Sequence, residues 1–182
     1  MKHRILLFLI CILVVFSSCG EKTTKQIVKE MIGKELLFDI NPKDIIVGQN
    51  KHTNANTMSI VTYVDSLGCV SCKLKLPKLK QVNQYLDSIA GEHIPIIFVV
   101  HESVKRDMIF SLKADKYVPD EVIVDTDGKL CKKFDFPEDN ELQTFLLDKE
   151  KKIVAVGNPT NGDKILSLYV KLLMANKMMN KK

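Results

Sequence analysis

The sequence predicts an α/β domain: a central mixed sheet flanked by helices, with a short N-terminal β extension. Three observations carry that reading. Apolar, β-branched runs at 58–64, 94–100 and 121–125 each have strand length. Segments with apolar residues at helical spacing separate them, and such alternation favours parallel strands joined by helical crossovers. Two later apolar runs, 143–148 and 152–157, flank only Lys149-Glu150-Lys151. That is the pattern of an antiparallel hairpin, and it makes the sheet mixed.

The chain opens on a basic stretch, Met1-Lys2-His3-Arg4. A nearly pure apolar run at 5–16 follows, and then Ser17-Ser18-Cys19-Gly20. A basic start, an apolar core of about 7–15 residues and small residues before a cleavage point describe a secretory signal peptide. The core is shorter than the ~20 apolar residues of a comfortable membrane span. Phe16-Ser17-Ser18-Cys19 resembles a bacterial lipobox, with Phe16 where a small or aliphatic residue is usual. The resemblance implies cleavage after residue 18, acylation of Cys19 and attachment to a membrane, each buried methylene contributing about 0.8 kcal/mol. An ordinary signal peptide with an incidental cysteine is the alternative. Either way the chain is expected in an oxidising compartment, where dithiols can cycle.

Residues 21–30 read as a polar tether that turns helical through Ile27, Val28, Met31 and Ile32. Short strands at 34–40 (KELLFDI) and 45–47 flank an Asn41-Pro42 turn, and 48–56 is a polar loop. The run 58–64 (MSIVTYV) is apolar throughout, as in a strand buried on both faces. Asp65-Ser66-Leu67-Gly68 breaks it. One helix is expected from Cys69 to about Ile89, with Val70, Leu74, Pro77, Leu79, Val82, Tyr85, Leu86 and Ile89 at helical spacing. A second central strand at 94–100 precedes a helix at 103–113, where Val104, Met108 and Leu112 stand four apart. The strand 121–125 ends at Asp127-Gly128. After the hairpin, Ile165, Leu168, Tyr169, Leu172 and Leu173 make a last amphipathic helix, capped near Asp163. The organisation is therefore a leader at 1–18, a tether with short strands at 19–50, one domain at 51–176 and a tail at 177–182.

The formal charge is +5, and loss of Lys2 and Arg4 with the leader leaves +3. No basic stripe with interleaved aromatics exists, so nucleic acid is not an expected partner. The five cysteines divide by setting: Cys11 in the apolar leader, Cys19 at its end, Cys69 and Cys72 as a C-x-x-C pair, and Cys131 alone. The pair falls where a buried strand meets a helix. A thiolate at a helix N-terminus faces free backbone N–H groups and the positive end of the helix dipole, and both favour the reactive anion. Cys69 is thus the expected nucleophile. Cys72, one turn deeper, is the expected resolving thiol.

These residues resemble the thioredoxin superfamily, and more narrowly the membrane-anchored ResA and TlpA type. The likeness lies in IVTYVD before GCVSC, in Pro77 five residues after Cys72, in EVIVDTDGKL, in QTFLLDKEKKIVAVGNP and in the closing ILSLYVKLL. DSLGCVSCKLKLP and TFLLDKEKKIVAVGNP look especially like small lipoproteins of Bacteroidetes. The resemblance implies a thioredoxin-like fold and a thiol–disulfide oxidoreductase without organic cofactor or metal. It would act on protein thiols or disulfides of the cell envelope, anchored by lipid and facing the periplasm. The chain departs from the family at four places. Leu142 or Gln143 occupies the position of the usual cis-proline, Gly68 that of a tryptophan and Tyr63 that of a buried acid. Val70-Ser71 separates the cysteines where thioredoxin has Gly-Pro.

Other readings of the same residues stay open. Zinc needs two more ligands, and His52, His93 and His101 show no paired spacing. A purely structural bridge across so short a loop contributes little chain-entropy stabilisation. A peroxidase of this fold carries P-x-x-x-[TS]-x-x-C, which is absent before Cys69. A non-enzymatic lipoprotein that uses the fold as a binding module is the main rival, on the missing cis-proline. His101 reads as a loop histidine, with a catalytic base as the alternative, and Cys131 as a small buried hydrophobe, with a third redox thiol as the alternative. Asp65 reads as a turn cap, with a proton relay for the dithiol as the alternative, and Lys73, Lys75, Lys78 and Lys80 as a solvated helix surface, with steering of an acidic partner as the alternative.

Overall fold

The computed structural model describes residues 22–38, 41–47, 57–67 and 69–179. The leader and Cys19 lie outside the described residues. The chain divides into two compact units, Met1–Glu30 and Met31–Lys182. The described part of the first carries helix α1 (Thr24–Met31), which ends one residue into the second. Gln26 caps the start of α1 by accepting from Thr23 N (2.8 Å), and Lys22 pairs with Glu30 at 2.7 Å.

The second unit is built on six strands: β1 (Ile45–Val47), β2 (Ser59–Val64), β3 (Ile96–His101), β4 (Glu121–Asp125), β5 (Thr144–Leu147) and β6 (Ile153–Val156). Their order is β1-β4-β3-β2-β5-β6. The three central strands are parallel, while β1, β5 and β6 pair antiparallel. The mixed sheet is as the sequence predicts. All six residues of β2 are buried, because neighbours cover both of its faces. Alternation then splits the core. Ile60 and Val64 join Phe98, Val100 and Val122 beneath the helices. Tyr63 points the other way, where it stacks on Phe136 at 4.7 Å, and Phe136 stacks on Phe145 at 5.5 Å.

The expected helix from Cys69 to Ile89 is two helices, α2 (Val70–Leu74) and α3 (Leu76–Ala90). Lys75 between them adopts φ 45°, ψ 47°. Pro77 supplies the reason: it has no N–H to donate, and its ring clashes with the carbonyl four residues back, so a helix restarts at it rather than running through. Helix α4 (Lys105–Ala114) follows β3 through a single 3₁₀ turn. Helix α5 (Lys129–Phe134) follows β4 and is absent from the sequence reading. Its six residues are too few to show a helical period. Helix α6 (Asp163–Met179) packs against α3.

The expected strand at 34–40 is much reduced. It makes one bridge, Glu35 to Lys152, with hydrogen bonds from Gly33 N to Ile153 O and Leu36 N to Lys151 O (both 2.8 Å); residues 39 and 40 lie outside the described residues. Those bonds satisfy the edge only at the start of β6, at Ile153, where unpaired backbone groups would otherwise be presented.

Candidate active site

The site is built at the C-terminal end of β2. Asp65 follows the strand and turns the chain by accepting from Leu67 N (2.9 Å), the capping role expected of it. Cys69 is the N-cap of α2, with extended backbone (φ −83°, ψ 116°). Val70 and Leu74 are buried, so α2 is pinned by one face. Cys69, Ser71 and Cys72 are left on its open side. Here the expectation that Cys72 lies deeper does not hold, since both cysteines are exposed. The helix buries through positions 70 and 74, and residues 69 and 72 share the opposite face.

The two sulfurs are 2.6 Å apart. Ser71 Oγ is 3.2 Å from Cys69 Sγ, and Cys72 N donates to the same sulfur at 3.4 Å. The Cys72 thiol, the Ser71 hydroxyl and that backbone N–H all stabilise negative charge on Cys69, whose pKa falls to about 7. Cys72 moves the opposite way, chiefly because its proton is held by Cys69. The pair therefore holds one sulfur ready to ionise and one that keeps its proton.

A buried polar group lies beside the pair. Lys73 Nζ bonds Asp65 Oδ1, and both side chains are mostly buried (14% exposed each). Gln143 Nε2 donates to Asp65 Oδ2 at 2.9 Å and to Pro137 O at 2.8 Å. Burial opposes charge on Asp65, but the bonds from Lys73, Gln143 and Leu67 outweigh it and hold the carboxyl below its ordinary pKa. Lys73 is thus not part of a solvated surface. Neither are its neighbours simply free: Lys75 Nζ reaches Asn161 Oδ1 (3.0 Å) and Lys78 Nζ reaches Thr160 O (2.6 Å).

No protein-family model matches the sequence, and neither does any curated protein. Solved structures do match in three dimensions. The thioredoxin domain of a thiol-disulfide oxidoreductase from Bacteroides vulgatus superposes with a TM-score of 0.55 at 17% identity, covering 78% of this chain and 97% of that one. A protein from Chlorobium tepidum, described as thiol:disulfide interchange protein DsbE, gives 0.56 at 13% identity over the same shares. The fold is thioredoxin-like. Yeast Sco1, solved with copper bound, also matches (TM-score 0.50, 20% identity, 68% of this chain and 80% of that one), so the fold admits more than one chemistry.

In this thioredoxin-like frame, Gln143 stands just before β5, where the resemblance implies a cis-proline. All peptide bonds of the described residues are trans. Gln143 O accepts from Tyr63 N (2.8 Å), so the turn closes onto β2 without proline. Tyr63, at the place of the usual buried acid, gives its hydroxyl to Asp125 Oδ2 (3.3 Å). Burial first, then Cys131 and Asp125, hold that hydroxyl firmly protonated. Asp125 also accepts from Leu130 N (2.7 Å) and Cys131 N (3.0 Å), which starts α5. Cys131 is half-buried rather than buried, its thiol against Tyr63. His101 is the last residue of β3 rather than a loop histidine; its Nδ1 lies 2.8 Å from Ser103 Oγ and accepts from Ser103 N at 3.2 Å. Among the described residues no three His, Cys, Asp or Glu side chains gather as a metal site. Gln143 was placed in the sequence only as one of two residues at the cis-proline position, and Asp125 was not placed in the site at all. A glutamine entering an apolar strand was the signal for the first; nothing local marked the second.

Proposed function

We propose that this chain is a thiol–disulfide oxidoreductase of the bacterial cell envelope, with Cys69 as nucleophile and Cys72 as resolving thiol. The observation that carries the reading is the geometry of the pair: Cys69 caps the N-terminus of α2, and the Cys72 thiol, the Ser71 hydroxyl and Cys72 N all lie on its sulfur, an arrangement that favours the thiolate at Cys69 over Cys72. The Cys69 thiolate attacks one sulfur of a partner disulfide. The partner S–S bond breaks, a mixed disulfide forms, and the second partner sulfur leaves as thiolate and takes a proton from water. Cys72 then attacks Cys69 Sγ, and the proton it loses passes through water to the departing partner sulfur. The mixed disulfide breaks, the partner departs as a dithiol, and the chain is left as the Cys69–Cys72 disulfide. Two electrons pass to the partner; the reverse sequence oxidises a dithiol.

Cys19 is the proposed lipid anchor, on the lipobox-like residues 16–19, with the domain facing the periplasm. No described helix is long and apolar enough to cross a membrane. The rival, a binding module without turnover, draws on Gln143 at the cis-proline position. Exchange with a small aromatic disulfide separates the two. The wild type should reduce it, Cys69→Ser should lose the reaction, and Cys72→Ser should stop at a mixed disulfide visible by mass. A wild type that shows no exchange, with both variants alike, leaves the binding module.

A further inference from the structure

The dithiol helix is held by a clamp that the exchange chemistry does not use. Three segments around Cys69 and Cys72 meet at the Asp65 carboxylate. Asp65 itself leaves β2. Lys73 comes from α2, directly after Cys72, and its backbone N donates to Cys69 O at 3.1 Å. Gln143 comes from the turn before β5, 78 residues from Asp65 in sequence. Both neighbours of Gln143 Nε2, the carboxylate and Pro137 O, accept only, so the amide can point no other way. Its Oε1 is then buried without a partner, although Gln143 is only 2% exposed. Gln143 thus spends both donors on holding Asp65 and its own turn while its acceptor goes unmet.

We propose that Asp65 is a positioning residue for the dithiol: through Lys73 and Gln143 it holds the first turn of α2 so that Ser71 and Cys72 can donate to Cys69. This rests on the thiol–disulfide reading above. Asp65 also carries a negative charge four residues before Cys69, and the two roles have opposite signs. A bare charge disfavours the thiolate, so removing it would make Cys69 ionise more easily. A clamp keeps donors on the sulfur, so removing it makes Cys69 ionise less easily.

The test is the pH profile of Cys69 alkylation by iodoacetamide in the reduced whole chain, followed by mass spectrometry on the peptide that contains Cys69. Asp65→Asn and Gln143→Met should both move the midpoint upward from about 7. The limit is the ~8.5 of a free cysteine, at which the thiolate fraction at pH 7 has fallen about 15-fold. Gln143→Met changes no charge, so its shift reads geometry alone. Lys73→Arg should hold the midpoint, because a cation still reaches Asp65. A midpoint that falls in Asp65→Asn, or stays put in Gln143→Met, overturns the proposal. If Asp65→Asn loses its far-ultraviolet helix signal, Gln143→Met decides by itself. Failure of the underlying reading looks different: wild-type Cys69 would titrate near 8.5 and exchange with no disulfide.

Discussion

Ser71 illustrates how much of the chemistry rests on single atoms. Its hydroxyl lies 3.2 Å from Cys69 Sγ and stands second to the Cys72 thiol among the groups that lower the Cys69 pKa. Ser71→Ala should therefore raise the alkylation midpoint of Cys69 by a fraction of a unit, and by less than loss of both donors. Stopped-flow alkylation across pH 5–9 measures this. Ser71 is exposed and adjacent in sequence, so its contribution could be anticipated from position alone. Gln143 could not. It became a site residue only because β5 lies beside β2, with Thr62 opposite Thr144 and Tyr63 N bonded to Gln143 O. Lys73 likewise looked like one lysine of a solvated series until the fold buried it against Asp65.

At the scale of elements, strands were more legible than helix breaks. The apolar runs mark β2, β3 and β4 because each is buried on both faces and cannot carry polar residues cheaply. The break between α2 and α3 is set by Pro77 and by the left-handed turn at Lys75, and apolar spacing runs through it unchanged. The break separates two jobs: α2 presents the thiols, and α3 anchors the frame. Leu86 on α3 is fully buried. Leu86→Ala should lower stability by about 2–5 kcal/mol in urea unfolding, the cost of a lost side chain plus its cavity. Exchange activity of the folded fraction should persist, since α3 contributes the frame and none of the donors to Cys69. The segment 34–38 shows the opposite error: among the described residues its strand-like pattern makes a single bridge, Glu35 to Lys152.

At the scale of the whole molecule, the sheet has two ends with different tasks. The C-terminal ends of β2, β3 and β4 gather Cys69, His101 and Asp125. The other end is tied by His93, whose Nδ1 meets Asp87 of α3 (3.0 Å) and whose Nε2 meets Asp120 before β4 (2.7 Å). The same carboxylates accept from Ile94 N and Ile96 N. Burial opposes a charged ring, but the two carboxylates outweigh it and raise the His93 pKa. A raised folded value means that the stabilisation is fully present below the unfolded pKa of about 6.5 and is lost as pH rises through the folded value. His93→Gln should therefore cost more stability at pH 6 than at pH 9 in paired urea titrations; the half-exposed ring keeps the effect small. A deficit equal at both pH values would rule the clamp out. By itself the sequence determined the chain order of the six strands and the longer helices, and the placement of a dithiol at a strand–helix junction, but neither α5 nor the break between α2 and α3. Burial period and helix-terminus chemistry are local, and local patterns survive in one dimension. Only the tertiary structure decided which side chains surround that dithiol. Asp65 meets Gln143, and Tyr63 meets Asp125, because β2 is paired with β5 and the sheet carries β4 two strands away. Those meetings depend on strand order, which no run of neighbouring residues encodes.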